Sequence, residues 1–464
     1  MHVASIPWGR AACPTCIAVR EHVLRGDRDE RMLRHPAFLE TKPWIVVPSR
    51  AWSLIVSNFV VVSLLLGRST ADRLLFFDVG AVGDTPGTLF LFTLSMLLAL
   101  GLPVAVLRRS PLNQRAKAAL LTYLVLSIWM LVSITLSPLS LEPYGLNKAI
   151  LAGPGIAVLL LMSASLLRFN DLRVTQGLFY SLTIWCLAIA LLSVAGPTGR
   201  FAALGGGPNV FGRFMVLGAL ASLAIWESTG ALRHLLLSVV FCIYALVSQS
   251  RGIFVGMILV ASLIALGKFR QKTPKSTRRV RTLAVLVPTL TILLVLNLPG
   301  EGASRLRLRL VDYLLTDLPH SYAVNARISA IELALDLFGI RPLTGWGPGG
   351  FAAFSTLVYP HNLVAEAMVE LGLVGLSALI VYLGLVVMPG PRDGLARVYH
   401  RYALLMALFS FVAAQFSGDF FDSRLFFFFG FVATALVSSP PSRGNADRRD
   451  RPQFGGAKSG GPAP

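Results

Sequence analysis

The chain has 464 residues, of which 55% are hydrophobic and 14% charged. Those proportions exclude an ordinary soluble globule and suit an integral membrane protein. The formal net charge of +19 does not argue for nucleic acid, because basic cytoplasmic loops account for such an excess in a membrane protein.

Residues 1–44 form a polar, basic N-terminal tail. The first apolar run begins near residue 44, too far in for a cleaved signal peptide, so the N-terminus is expected in the cytoplasm. Of the four cysteines, Cys13 and Cys16 form CPTC in this tail, while Cys186 and Cys242 lie in apolar runs. A single CxxC with no second pair and no His-rich run nearby reads as incidental thiols ahead of half a zinc site.

A membrane helix needs about 20 apolar residues. Candidate spans are 45–67, 88–107, 118–137, 149–167, 176–195, 210–228, 232–249, 252–267, 282–298, 361–388, 402–416 and 424–438. The expected fold is therefore an all-α polytopic membrane domain, 45–438, of about twelve helices. No internal repeat is visible, which disfavours an inverted-repeat transporter. With the N-terminus inside, most of the 42 Lys and Arg fall on inside segments, and 268–281 is the most basic of them. That pattern places both termini in the cytoplasm. The longest outside connection, 299–360, is expected to fold as a helical cap. Within it NARISAIELALDLFGI, 325–340, has helical periodicity and RPLTGWGPGGF, 341–351, is a Pro/Gly-rich stop and turn. Residues 439–464 read as a disordered cytoplasmic tail.

This topology sorts the polar residues. Arg200 and Asn209 fall in the outside loop GPTGRFAALGGGPN, and Arg213 opens the next span. Arg251 sits in SQSRG between two short apolar runs, Arg327 in the cap helix, and His361 with Asn362 at the start of the tenth span. Asp419, Asp422 and Arg424 occupy the last outside turn, SGDFFDSR. Cations distant in sequence thus collect on the face where the positive-inside rule expects fewer. The planar guanidinium fork suits phosphate, and glycine-rich turns let backbone N–H groups approach an anion. Taken singly, Arg200 and Arg251 also fit snorkelling to head groups, Arg327 a solvated helix face and His361 an interfacial filler. Imidazole at neutral pH is also a suitable proton acceptor or, at a helix start, a hydrogen-bond donor to phosphate, and both roles stay open for His361.

YPHNLVAEAMVELGLVG, 359–375, resembles the HN…E-x-G-x-x-G signature of the O-antigen ligase and O-antigen polymerase superfamily. ARISAIELALDLFGIRPLTGWGPGGF resembles its R…ALxLFxxxPLxGxGxGxF segment, with Ile331 at a usually aromatic position. SQSRGIFVG resembles its SRG motif, and GRFAALGGGPNVFGRF its R-x-x-G…PN stretch. The resemblance covers roughly residues 45–438 and leaves out the CPTC tail.

The resemblance implies a GT-C-like glycosyltransferase on the outer face of the bacterial inner membrane. Its donor would be an undecaprenyl-diphosphate-linked glycan. Its acceptor would be a lipid A–core sugar (ligase), another lipid-linked repeat (polymerase) or a protein hydroxyl. It maps the family's essential groups onto Arg251 and His361, with Arg200, rather than Arg213, as the arginine near PN and Arg327 as the arginine opening the cap helix. Asn209 and Asn362 join the expected diphosphate site, with Gly347, Gly349, Glu366 and Arg424 in support. The expectation is a reaction with no cofactor and no metal, a metal at Asp419 and Asp422 being the lesser alternative. A transporter or flippase of lipid-linked oligosaccharide is the alternative of another class. It would want charge through the depth of the spans, whose interiors are here nearly free of it.

Taken as one straight helix, 361–388 is roughly 42 Å long at 1.5 Å per residue. That exceeds a hydrocarbon core of about 30 Å, so His361, Asn362 and Glu366 are expected to protrude outside. Glu366 and Glu370, four apart, share a face. His361 is expected on the opposite side, which argues against a His–Glu relay and for glutamates that bond neighbouring helices.

Overall fold

The computed structural model describes residues 112–137, 143–167, 172–195, 200–203, 207–269, 322–391 and 394–437, with Leu139 and part of 57–65. All lie in one compact unit, Ser53–Pro464. In chain order the helices are α1 (Gln114–Leu136), α2 (Pro143–Ile150), α3 (Ile156–Leu167), α4 (Leu172–Leu191), α5 (Pro208–Thr229) and α6 (Leu232–Val247). They continue with α7 (Arg251–Phe269), α8 (Tyr322–Ile340), α9 (Leu363–Val387), α10 (Gly394–Ala414) and α11 (Arg424–Ala435). A π turn, Leu151–Gly155, joins α2 to α3 around Pro154. Among the described residues the all-helical character is interrupted by one short antiparallel hairpin, β1 (Val194–Ala195) with β2 (Phe201–Ala202), in which Ala195 faces Phe201.

Among the described residues, five segments are long and apolar enough to cross a membrane: Gln114–Leu136, Tyr144–Ala164, Leu172–Leu191, Pro208–Thr229 and Leu363–Val387. The protein is a multi-pass helical membrane protein. The expected spans 45–67, 88–107 and 282–298 lie wholly or mostly outside the described residues, as do both tails with Cys13 and Cys16, and the first part of the 299–360 loop.

The centre is α5, buried without interruption from Phe211 to Trp226. A helix apolar on every side belongs inside the bundle, and α5 packs against α4, α6 and α10. α11 is the second buried helix, with Leu425 to Thr434 all inside. Its phenylalanines meet Tyr123 of α1 and Tyr382 of α9: the Tyr123 and Phe427 rings are edge-on at 4.6 Å, and Tyr382 donates its hydroxyl to the Phe427 carbonyl.

Helix ends are tied at two faces. On one, Asn113 accepts the Ala116 N–H to cap α1 and donates to the carbonyls of Thr434 and Val437 at 2.9 and 2.7 Å. Arg115 caps the end of α9, donating to Leu385, Val386, Met388 and Pro389 carbonyls at 2.6–3.0 Å, where helix carbonyls lack partners and carry partial negative charge. Arg401 pairs with Glu227 near the end of α5 on this same face. On the opposite face lie the end of α1, whose Ser137 donates to the Trp346 carbonyl at 2.5 Å, the start of α9 and the end of α10.

α9 is not the straight helix expected for 361–388. Gly372 has φ 65° and ψ −160°, which breaks it into 363–371 and 373–387. The 341–347 loop fills the break. Trp346 N–H bonds Val369 O and Gly347 N–H bonds Glu370 O, both at 2.9 Å, and Leu373 N–H bonds Pro342 O at 2.7 Å. Trp129 of α1 donates its indole N–H to Leu371 O at 2.9 Å. The backbone groups freed by the break are thus satisfied by protein, the condition for non-helical backbone within a membrane domain. Two glycines make the splice possible. A Cβ on Gly345 (φ 69°) would lie 2.5 Å from the Glu370 backbone, and one on Gly372 2.4 Å from Leu343 O.

Candidate functional site

Arg251 opens α7 directly after a tight turn in which Gln249 takes φ 53°. Arg327 comes from α8. Burial, and next the positive charge of Arg251, pull the Arg327 guanidinium below its usual range, so two half-buried cations feel each other's charge. His361 is the third member. Burial and then the charge of Arg327 lower its pKa from 6.5. Segments some 110 residues apart in sequence are therefore electrostatically coupled at α7, α8 and the entry to α9.

His361 does not belong to α9. Its φ is 55°, an unusual conformation for a non-glycine residue, of the kind that collects at functional sites. Its expected place on a helix face opposite the glutamates therefore fails, because helical geometry begins only after it. Tyr359 stacks edge-on against the imidazole, ring centroids 4.4 Å apart. His361 Nδ1 is buried and has no hydrogen-bond partner among the described residues. A buried polar atom left open in this way is the kind that a ligand completes.

Arg200 reaches the same region from the β-hairpin. Its Nε donates to Ser248 O at 3.1 Å and its Nη2 to Asn209 Oδ1 at 3.4 Å, while Asn209 donates to Ser417 Oγ at 3.0 Å. Ser248 lies three residues before Arg251. Arg213, the alternative near PN, is buried and committed inward: it donates to the carbonyls of Ala413 and Ser417 and faces Asp422 at 3.6 Å. Arg424 is equally committed, to Leu64 O at 2.9 Å, Phe421 O at 3.2 Å and Asp422 at 3.2 Å. Asp419 caps the turn by accepting the Asp422 N–H at 3.0 Å. Burial and then the Asp422 charge push its carboxyl up.

Asn362 serves α9 as its N-cap, accepting the Ala365 N–H at 2.9 Å and donating to Gln415 O at 3.5 Å. The glycine loop meets α9 through its backbone, Gly347 N–H bonding the Glu370 carbonyl at 2.9 Å. Glu366 and Glu370 bond a neighbouring helix, as expected. Both are buried, and both bind Lys148 of α2, at 2.5 and 2.7 Å. Sequence reasoning missed Lys148, which stands as a lone cation at the edge of an apolar run. An ionisable side chain inside a span is itself a signal, but its partners lie over 200 residues away.

Residues 236–380 match the family model described as O-antigen ligase, and no curated protein matches the chain. The matched stretch contains Arg251, Arg327, the glycine loop and His361, so residues 236–380 carry an O-antigen ligase family domain, which supports the O-antigen ligase/polymerase superfamily for the chain.

Proposed function

We propose that the protein transfers a glycan from an undecaprenyl-diphosphate-linked donor to an acceptor hydroxyl on the outer face of the bacterial inner membrane. The acceptor oxygen attacks the anomeric carbon, the bond from that carbon to the diphosphate oxygen breaks, and the electron pair leaves with the diphosphate. Arg251 and Arg327 face the diphosphate and stabilise the charge that grows on it, with Arg200 beside them. His361 takes the acceptor proton. An imidazole kept neutral by burial and a neighbouring cation is available as a base near pH 7. The arginines supply the positive charge that the departing diphosphate needs, so the reaction is written without a metal. The cap 299–360, the twelve-span domain 45–438 and the cytoplasmic tails 1–44 and 439–464 belong to the same reading.

The observation that carries it is the convergence of Arg251, Arg327 and His361, from three separated elements, within the stretch that matches the O-antigen ligase model. The test is reconstituted protein given lipid-diphosphate glycan and acceptor. New glycoconjugate is expected from the native chain and none from Arg251→Ala or His361→Ala at normal protein level. A fully active His361→Ala variant removes the histidine from the mechanism, and movement of lipid without covalent change makes the protein a carrier.

A further inference from the structure

The piece of α9 that follows His361 is only 363–371, because of the break at Gly372. So short a helix has little stability of its own, so its neighbours fix its position. Lys148 is the strongest of them. Its ammonium lies 2.5 Å from Glu366 Oε1 and 2.7 Å from Glu370 Oε1, and all three side chains are almost wholly buried. Glu366 Oε1 also accepts the Phe420 N–H at 3.0 Å. Phe420 sits in the 417–423 turn, whose Ser417 receives Asn209 and Arg213 and whose Asp422 receives Arg213 and Arg424. One ammonium therefore ties α2 to the histidine segment, and Glu366 ties that segment to the turn holding the Arg200 side. The remaining carboxylate oxygen, Glu366 Oε2, is buried with no hydrogen-bond partner among the described residues, so the orientation of Glu366 depends on Lys148 and Phe420.

We infer that Lys148 is a positioning residue for glycan transfer, setting through Glu366 and Glu370 where His361 stands relative to the arginines. The inference rests on the transfer reaction proposed above. A residue of this kind acts on the rate more than on donor binding, since a displacement of about 1 Å in a reacting group costs on the order of 100-fold.

The experiment uses the full chain in liposomes with lipid-diphosphate glycan and acceptor. Lys148→Met is expected to lower kcat by about 10- to 100-fold with donor KM changed less than about threefold, and Lys148→Arg to recover most of the rate. Because Lys148→Met strands two buried carboxylates, a triple variant, Lys148→Met with Glu366→Gln and Glu370→Gln, guards against simple misfolding. It is expected to fold and to remain slow. Recovery of the native rate in the triple variant overturns the inference, because Lys148 would then only neutralise buried acids. So does a native rate in Lys148→Met. Amide hydrogen exchange gives a readout independent of activity: Lys148→Met should speed exchange in 363–371 and leave 373–387 unchanged, and equal exchange in 363–371 overturns the inference. If the native chain transfers no glycan, the proposed reaction fails, while the exchange comparison still decides whether Lys148 holds the histidine segment.

Discussion

His361 is held neutral by two causes of unequal size, burial first and the Arg327 charge second. Its folded pKa is below 6.5, so the base form persists to lower pH than in a free imidazole. The acid limb of kcat/KM, which reports the free enzyme, should accordingly have its midpoint below 6.5. Bound diphosphate neutralises Arg327, so the limb of kcat should lie at higher pH than that of kcat/KM. A kcat/KM acid limb at or above 6.5 sinks the assignment of His361 as base. The residual activity of Arg327→Gln isolates the smaller cause. Its kcat/KM limb should move up towards 6.5 without reaching it, because burial stays. An unmoved limb means that Arg327 does not face the imidazole. Arg213 makes a contrast. Its guanidinium bonds the protein's own carbonyls and Asp422, so Arg213→Ala should lower the amount of folded protein, read by thermal unfolding, more than it alters the rate per folded molecule.

At the scale of elements the decisive feature is the splice between the 341–347 loop and broken α9. Gly372→Ala forces a Cβ to 2.4 Å from Leu343 O in a left-handed backbone. The backbone conformation alone costs about 1–3 kcal/mol, and the clash with backbone atoms adds to it. Gly230 has a similar φ of 74° with nothing within 4 Å, and Gly384 lies in α9 with nothing within 4 Å. Thermal midpoints should therefore fall most for Gly372→Ala and less for Gly230→Ala, with no loss for Gly384→Ala. A Gly372→Ala variant as stable as Gly384→Ala shows that the helix runs straight. The loop motif RPLTGWGPGGF and the helix that follows are both readable in the sequence, but the splice is not. It pairs backbone with backbone, and such pairing leaves only glycines as its trace. The same limit explains the site. Arg200, Arg251, Arg327 and His361 are legible because their residue types are out of place on an outer face and sit in motifs. The left-handed His361, the edge-on Tyr359 and the Lys148 ion pairs depend on contacts between segments far apart in sequence, which no local pattern encodes. Apolar run length gave α1, α4, α5, α6 and α7 to within a few residues, because there the apolar run and the helix are the same thing.

On the scale of the whole molecule, two sets of helix ends define two faces. One gathers Asn113, Arg115, the end of α5 with Glu227, and the start of α10 with Arg401. The other gathers Ser137, Arg200, Ser248, His361, Gln415 and the 417–423 turn. Every residue proposed to touch the diphosphate lies on the second face. Arg115, Arg233, Arg397 and Arg401 lie near helix ends at the first face and Arg200, Arg251 and Arg327 at the second, and the proposed transfer requires the first face in the cytoplasm and the second outward. Single cysteines test this orientation. Thr229 and Thr356 are both exposed, at opposite faces. Cys186 and Cys242 are buried, and a background with Cys13→Ser and Cys16→Ser removes the other two thiols. In intact cells a membrane-impermeant maleimide should label Thr356→Cys at once and Thr229→Cys only after permeabilisation. The reverse pattern would put the arginine face in the cytoplasm, where the proposed extracytoplasmic transfer has no place. Labelling of both positions in intact cells would break the two-face arrangement itself, since Thr229 and Thr356 would then share a compartment.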